Sequence, residues 1–262
     1  MTQTTDSYAV FGQIDYQLAP KLRTTLGARW SRDEKRAPFV GFNTLVSGVS
    51  TPPIDLVRED SWDSTTYLAS VDYSWNDWIM TYASYSTGFK AGGFQEGVNP
   101  VVVSTYYDPE TVEQVEVGLK SDLFDGRVRF NVSAYRSRYE DLQVNNFRIL
   151  PTGPVQLIQN AAGALVYGFD VEAKVQIGEH FILTALDSYI PTAKIEGFSS
   201  IGGFPSIEGF RIPRTPENSY TLALDYGTEL NAEVRFKARA EYSHRSDFSS
   251  VRTLAGSAPI SA

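Results

Sequence analysis

Side chains able to do chemistry are few in this sequence, and their spacing argues against a catalysed reaction. Glu59, Asp60 and Asp63 gather three carboxylates, the hard oxygen set that calcium or ferric iron takes. On a chain this acidic a solvated loop end is the stronger reading. The two histidines, His180 and His244, lie far apart and without metal-ligand spacing. His244 beside Arg245 could touch a ligand from a strand end, but it reads more simply as a surface residue. There is no cysteine, which excludes disulfide scaffolds, thiolate zinc sites and thiol catalysis. The run Thr87-Gly88-Phe89-Lys90-Ala91-Gly92-Gly93-Phe94 is glycine-rich and holds a lysine. It is no phosphate cradle, because neither Ser nor Thr follows Lys90 and no helical pattern comes after it. Asn131-Val132-Ser133 is a formal glycosylation sequon set mid-strand, read as chance. No Ser-His-Asp order, paired catalytic carboxylates or cofactor motif stands out, so the sequence reads as a non-enzyme without a cofactor.

The elements that must position these residues are strands. Period-two alternation recurs along the chain and the helical period does not. Ten stretches carry it, around residues 8–18, 22–30, 67–75, 78–82, 115–119, 128–134, 167–177, 180–190, 220–226 and 234–242. Short turns fall near Ala19-Pro20, Asn76-Asp77, Asp125-Gly126, Gly178-Glu179 and Glu229-Leu230, and long loops at roughly 34–62, 91–109, 143–162 and 191–215. The turns predict register. A two-residue turn at Asp125-Gly126, whose central positions both favour positive φ, sets Leu123 against Val128, Leu119 against Val132, Val117 against Ala134 and Asp122 against Arg129. A turn over 19–21 sets Ile14 against Leu26 and Val10 against Trp30. A turn at Asn76-Asp77 predicts Tyr73 against Met80 and Val71 against Tyr82.

Composition narrows the setting. The 262 residues carry 23 Lys and Arg against 31 Asp and Glu, a net charge of −8, which argues against a nucleic-acid partner. No apolar run is long enough for a membrane-crossing helix. Met1 is followed by Thr-Gln-Thr-Thr-Asp, so no leader is expected on the chain as given. Strands, however, cross a bilayer without raising hydropathy. Aromatics reach 13%. Short turns alternate with long loops, every strand has a charged stripe, and Tyr16, Trp75 and Trp78 sit beside turns with Trp30 toward a loop. Together these predict an all-β, antiparallel, up-and-down transmembrane barrel with aromatic girdles. A passive porin-like barrel fits the same pattern. A soluble β-sandwich, burying the apolar stripes in a core, is the further alternative.

Several segments resemble the C-terminal barrel region of TonB-dependent outer-membrane receptors of the siderophore type. Tyr8-Ala9-Val10-Phe11-Gly12-Gln13 leading to Leu26-Gly27-Ala28-Arg29-Trp30 is one. Tyr82-Ala83-Ser84-Tyr85-Ser86 running into Gly88-Phe89-Lys90-Ala91-Gly92-Gly93-Phe94 is another, as is Pro109-Glu110 through Glu116-Val117-Gly118-Leu119-Lys120. Asn160-Ala161-Ala162-Gly163 through Gly168-Phe169-Asp170-Val171-Glu172 and Pro213-Arg214-Thr215-Pro216 complete the order. The resemblance implies an outer-membrane location in a Gram-negative bacterium, uptake of a ferric siderophore or similar chelate, and partnership with the TonB complex through a plug. It also implies that residues 1–262 are a partial barrel domain, about ten of roughly 22 strands, without the plug domain and the remaining strands. Outer-membrane lipid is the expected surroundings.

Ligand contacts are expected from aromatic and Arg side chains toward the outer loops: Trp62, Phe89, Phe94, Tyr106, Tyr107, Arg148, Arg211 and Arg214. Such residues give large contact area at small entropic cost and two-pronged bonds to carboxylates. The cations Arg23, Arg29, Arg127, Arg129, Arg235, Lys237 and Arg239 could attract an anion, but pairing with neighbouring acids such as Asp122, Glu116, Asp170, Glu172 and Glu241 is the stronger expectation.

Overall fold

A computed structural model of the chain describes residues 3–41, 54–95, 106–150, 153–160, 163–197 and 208–248. All of its regular structure is β. Ten strands form one antiparallel sheet: β1 (Thr4–Ala19), β2 (Leu22–Gly41), β3 (Ile54–Ser74), β4 (Ile79–Lys90), β7 (Glu110–Leu123), β8 (Val128–Glu140), β11 (Gly163–Ile177), β12 (Phe181–Glu196), β13 (Asn218–Glu229) and β14 (Arg235–Arg245). Their spatial order is their chain order, so each pairs with its sequence neighbours and the sheet is up-and-down. Two short hairpins stand apart from it, β5 (Gly93–Phe94) with β6 (Tyr106–Tyr107), and β9 (Gln143–Leu150) with β10 (Gly153–Asn160). Among the described residues β1 and β14 pair on one side only, so the sheet does not close.

The register follows the turns. Leu123 faces Val128, Leu119 Val132, Val117 Ala134 and Asp122 Arg129. Asp125 and Gly126 both take positive φ, 56° and 80°, as a tight hairpin twisting with its strands requires. Ile14 faces Leu26 and Val10 faces Trp30, with a bulge at Leu18 absorbing the extra turn residue. One register differs from expectation. Tyr73 faces Thr81 and Val71 faces Ala83, one position away from the predicted Met80 and Tyr82. The cause is Asn76, whose Oδ1 accepts the N–H groups of both Trp78 and Ile79 at 2.9 Å and folds Trp78 into the turn. A slip of one flips the strand, so Tyr82 belongs to the polar face, where its hydroxyl donates to Glu116 at 2.5 Å.

The two faces have opposite chemistry. One carries Val10 and Ile14, about 70% exposed, with Val115, Val117, Phe169, Leu222 and Leu224. Among the described residues no second sheet covers it, which removes the sandwich reading. An apolar band of this size suits lipid as its solvent. The other face is a polar concavity of about 990 Å³ between β4 and β14. Four of the seven expected cations pair with local acids: Arg23 with Asp72 at 2.8 Å, Arg129 with Asp122 at 2.8 Å, Arg235 with Glu229 at 2.6 Å, and Arg239 with Asp225 at 2.9 Å and Glu241 at 2.7 Å. Arg29 bonds to Ser31 instead, and Arg127 and Lys237 enter no ion pair among the described residues. Tyr82 and Tyr135 lie across the glycines directly opposite them, Gly118 and Gly168; a Cβ on either glycine would run into the ring. Buried apolar side chains form two small clusters, both toward the end of the sheet where the long loops lie.

The expected loop at 34–62 is mostly strand. β2 runs 20 residues and β3 runs 21, paired as far as Gly41 with Ile54. The acidic trio lies within it, and alternation parts its members. Glu59 pairs with Arg36 at 2.8 Å and Asp63 with Arg32 at 3.6 Å, while Asp60 sits on the other face and accepts the Ser61 N–H. Among the described residues no group of acids or histidines is arranged to hold a metal.

Face assignment has a direct test. Replacing lipid-facing Val117 with Arg is expected to cost about 2–4 kcal/mol of unfolding free energy in bilayer vesicles. Leu186 is equally apolar but lies on the polar face opposite Glu172. Leu186→Arg is expected to cost under about 1 kcal/mol in the same measurement.

Candidate functional site

Strand alternation fixes the floor of the site. The β2 stripe of Arg23 and Arg29 continues on the polar face through Lys35 and Ala37, and the β3 stripe of Asp72 continues through Trp62 and Arg58. Above the membrane-facing part these side chains meet the chain that leaves β4. Residues 91–95 are all buried. Trp62, Phe94, Ala37 and Ala91 form one cluster, with Phe89 packed against it. The Trp62 and Phe94 rings meet edge-on with centroids 5.9 Å apart. Gly92 can have no side chain, because a Cβ would lie 2.5 Å from both Trp62 Nε1 and the Tyr107 carbonyl.

Two cations cap this aromatic group. Lys35 Nζ lies 5.3 Å from the Trp62 ring and donates to the Gly92 carbonyl at 2.5 Å. The Arg58 guanidinium lies 4.9 Å from the Phe94 ring and donates to the Gln95 carbonyl at 3.1 Å. Burial pulls both below their ordinary basicity; for Lys35, Lys90 adds to the effect and Asp33 opposes it. The result is a buried aromatic floor, covered by residues 91–95, with two cations folded against it.

Three amide side chains tie the two hairpins together. Gln95 Nε2 donates to the Ile158 carbonyl, and the Ile158 N–H returns a bond to Gln95 Oε1 at 2.8 Å. Gln143 Nε2 donates to the carbonyls of Ala91 and Asp108, each at 3.0 Å, and its N–H donates to Glu110. Asn160 Nδ2 donates to the carbonyls of Asp108 and Asp141 and its Oδ1 accepts the Asp108 N–H, all at 2.8 Å. The loop from β4 to β7 and the β9–β10 hairpin therefore dock as one unit.

The structure brings together Trp62, Phe89, Phe94 and Tyr107, with exposed Tyr106 opposite Phe94 in the β5–β6 pair. Arg148 is placed by its backbone, opposite Val155 in β9–β10; its side chain lies outside the described residues. Arg211 stands elsewhere and holds a turn, donating to the carbonyls of Thr215, Ile190 and Pro216. Arg214 is exposed in that turn with φ of 60°. Sequence reasoning missed Lys35, Arg58 and the three amides. Parity with Arg23 and Arg29 was the available signal for Lys35.

Comparison with known proteins decides the family. The description "TonB dependent receptor-like, beta-barrel" matches residues 1–258. The chain belongs to the TonB-dependent receptors. It is therefore part of an outer-membrane β-barrel, and its relatives are receptors and transporters rather than enzymes. It is 21% identical over 252 residues to the probable TonB-dependent siderophore receptor PiuA of Acinetobacter baumannii, covering 92% of this chain and 32% of that protein. It is 33% identical over 199 residues to the vitamin B12 transporter BtuB of Vibrio vulnificus, covering 69% and 30%. Among solved structures, the ferric yersiniabactin uptake receptor FyuA of Yersinia pestis superposes with a TM-score of 0.71 at 15% identity, over 94% of this chain and 35% of that one. The chain thus spans about a third of the length of the relatives it matches.

The docking of the two loop hairpins makes a prediction. Gln95→Leu removes both bonds to Ile158 and is expected to weaken the contact by about 1–3 kcal/mol. Amide hydrogen exchange over 143–160 should accelerate accordingly while the strands β7 and β8 stay protected.

Proposed function

We propose that this chain is a section of a receptor barrel for active uptake of a metal chelate, a ferric siderophore first. The observation carrying the reading is the outer mouth on the polar face, where buried Trp62 and Phe94, capped by Lys35 and Arg58, fix the chain after β4 and hold exposed Tyr106 beside them. Aromatic side chains held in place by such packing suit a flat anionic chelate, since a fixed ring binds without losing much side-chain freedom. Siderophore receptors among the relatives support the same reading. The single-sided pairing of β1 and β14 supports completion of the barrel by further strands, because unpaired edges are not viable in hydrocarbon. In this proposal a plug domain fills the lumen and relays energy from TonB, and residues 1–262 contribute partial barrel wall and outer mouth. Tyr106, Tyr107, Arg148 and Arg214 serve as further contacts around the floor, and Arg211 serves by holding its turn.

Cobalamin is the second reading, favoured by the 33% identity to a vitamin B12 transporter. Titrating the complete receptor with a ferric catecholate, a ferric hydroxamate and cobalamin separates the two. One ferric chelate is expected to bind, and Trp62→Ala to weaken it on the order of tenfold or more. Binding of cobalamin alone would replace the first reading with the second. Unchanged chelate affinity in Trp62→Ala would remove the aromatic floor from the site.

A further inference from the structure

We propose that Phe94 is an internal stopper: in the free receptor its ring fills a slot against Trp62 and Arg58, and an anionic aromatic ring of the incoming chelate displaces it. The inference rests on the uptake reading above and adds how a buried floor becomes open to a guest.

The slot has the size of one ring. Trp62 meets Phe94 edge-on, with centroids 5.9 Å apart, and the Arg58 guanidinium lies 4.9 Å from the Phe94 ring. Ala37, fully buried, and Ala91 complete the cluster with single methyl groups. A second aromatic ring set in this place regains the contacts that Phe94 gives up. A negatively charged ring adds an attraction to Arg58 that Phe94 lacks, in a site where water does not screen it. Arg58 is buried, and burial alone lowers its basicity, so an anion beside it relieves a cost that a neutral ring leaves in place. Lys35 stands on the far side of the floor, 5.3 Å from the Trp62 ring, with Asp33 and Lys90 near it.

The segment that carries Phe94 is fastened so that it can lift. β4 stays in the sheet as far as Lys90, which pairs with Glu110 on β7. Past that point the regular pairing is two residues long, Gly93 with Tyr107 and Phe94 with Tyr106. The other ties are side-chain bonds: Lys35 to the Gly92 carbonyl, Gln143 to that of Ala91, Arg58 to that of Gln95, and the exchange between Gln95 and Ile158. At the outer mouth each of these groups can turn to water when the segment lifts, so little hydrogen bonding is lost on opening. A filled slot lowers apparent affinity by the fraction of receptor in which it is vacant. It also selects, because a chelate without an aromatic ring gains nothing by displacing Phe94.

The test titrates the complete receptor with a ferric catecholate and a ferric hydroxamate. Phe94→Ala removes the competing ring and should tighten catecholate binding about fivefold or more. The ratio of catecholate to hydroxamate affinity should rise by the same factor. In the unaltered receptor, saturating ferric catecholate should speed amide hydrogen exchange at Gly92, Gly93 and Phe94, and at Ile158, whose N–H the Gln95 side chain holds. That measurement decides the matter even where Phe94→Ala does not fold. Catecholate binding that is unchanged or weaker in folded Phe94→Ala overturns the proposal, and so does exchange over 91–95 that the catecholate slows or leaves unaltered. A receptor that takes the hydroxamate and refuses the catecholate overturns it while the uptake reading stands. A receptor that takes neither iron chelate removes both.

Discussion

A backbone amide in hydrocarbon has no water to turn to, and that constraint orders this structure. Each N–H and C=O in the bilayer must find a partner on an adjacent strand. The ten-stranded ladder meets the demand without a hydrophobic core, which is why apolar side chains can face outward and both small clusters lie near the loops. The polar face is then free to be wet. Part of its charge settles into local pairs such as Arg23 with Asp72. Among the described strands of the sheet the demand goes unmet at β1 and β14, which supports the proposal that further strands complete the barrel.

Much of this was legible in the sequence because a half-lipid, half-water strand writes its environment at period two. Where a turn has a strong intrinsic preference, as at Asp125-Gly126, the register could be read pair by pair. Reading failed where a side chain rewrote the turn, as Asn76 does by drawing in Trp78. It failed again where both faces are wet. Past Trp30 and Thr65 the alternation loses its contrast, so the outer halves of β2 and β3 looked like loop although they pair to their ends.

The candidate site shows a similar division. Of the aromatic residues near the outer ends, four converge with the glycines that let the chain fold tightly over Trp62. Lys35 and Arg58 were missed because a cation on a strand looks alike whether it faces lipid headgroups or an aromatic floor. The docking amides were invisible for another reason. Gln95, Gln143 and Asn160 act on backbone carbonyls far away in sequence, and carbonyls have no letter code.

The unequal strand lengths have a consequence for anything approaching from outside. β2 and β3 run 20 and 21 residues, whereas β4 and β14 run 12 and 11. At about 3.3 Å per residue the difference is roughly 25–30 Å of extra sheet on one side. That screen stands directly behind Trp62 and Arg58. Anything drifting in laterally from that side meets a stiff parapet, its outer surface laced by the ion pairs of Arg32 with Glu34 and Asp63 and of Arg36 with Glu59. For the chelate uptake proposed above, the parapet is a windbreak: it narrows the angles from which a guest arrives at the outer mouth.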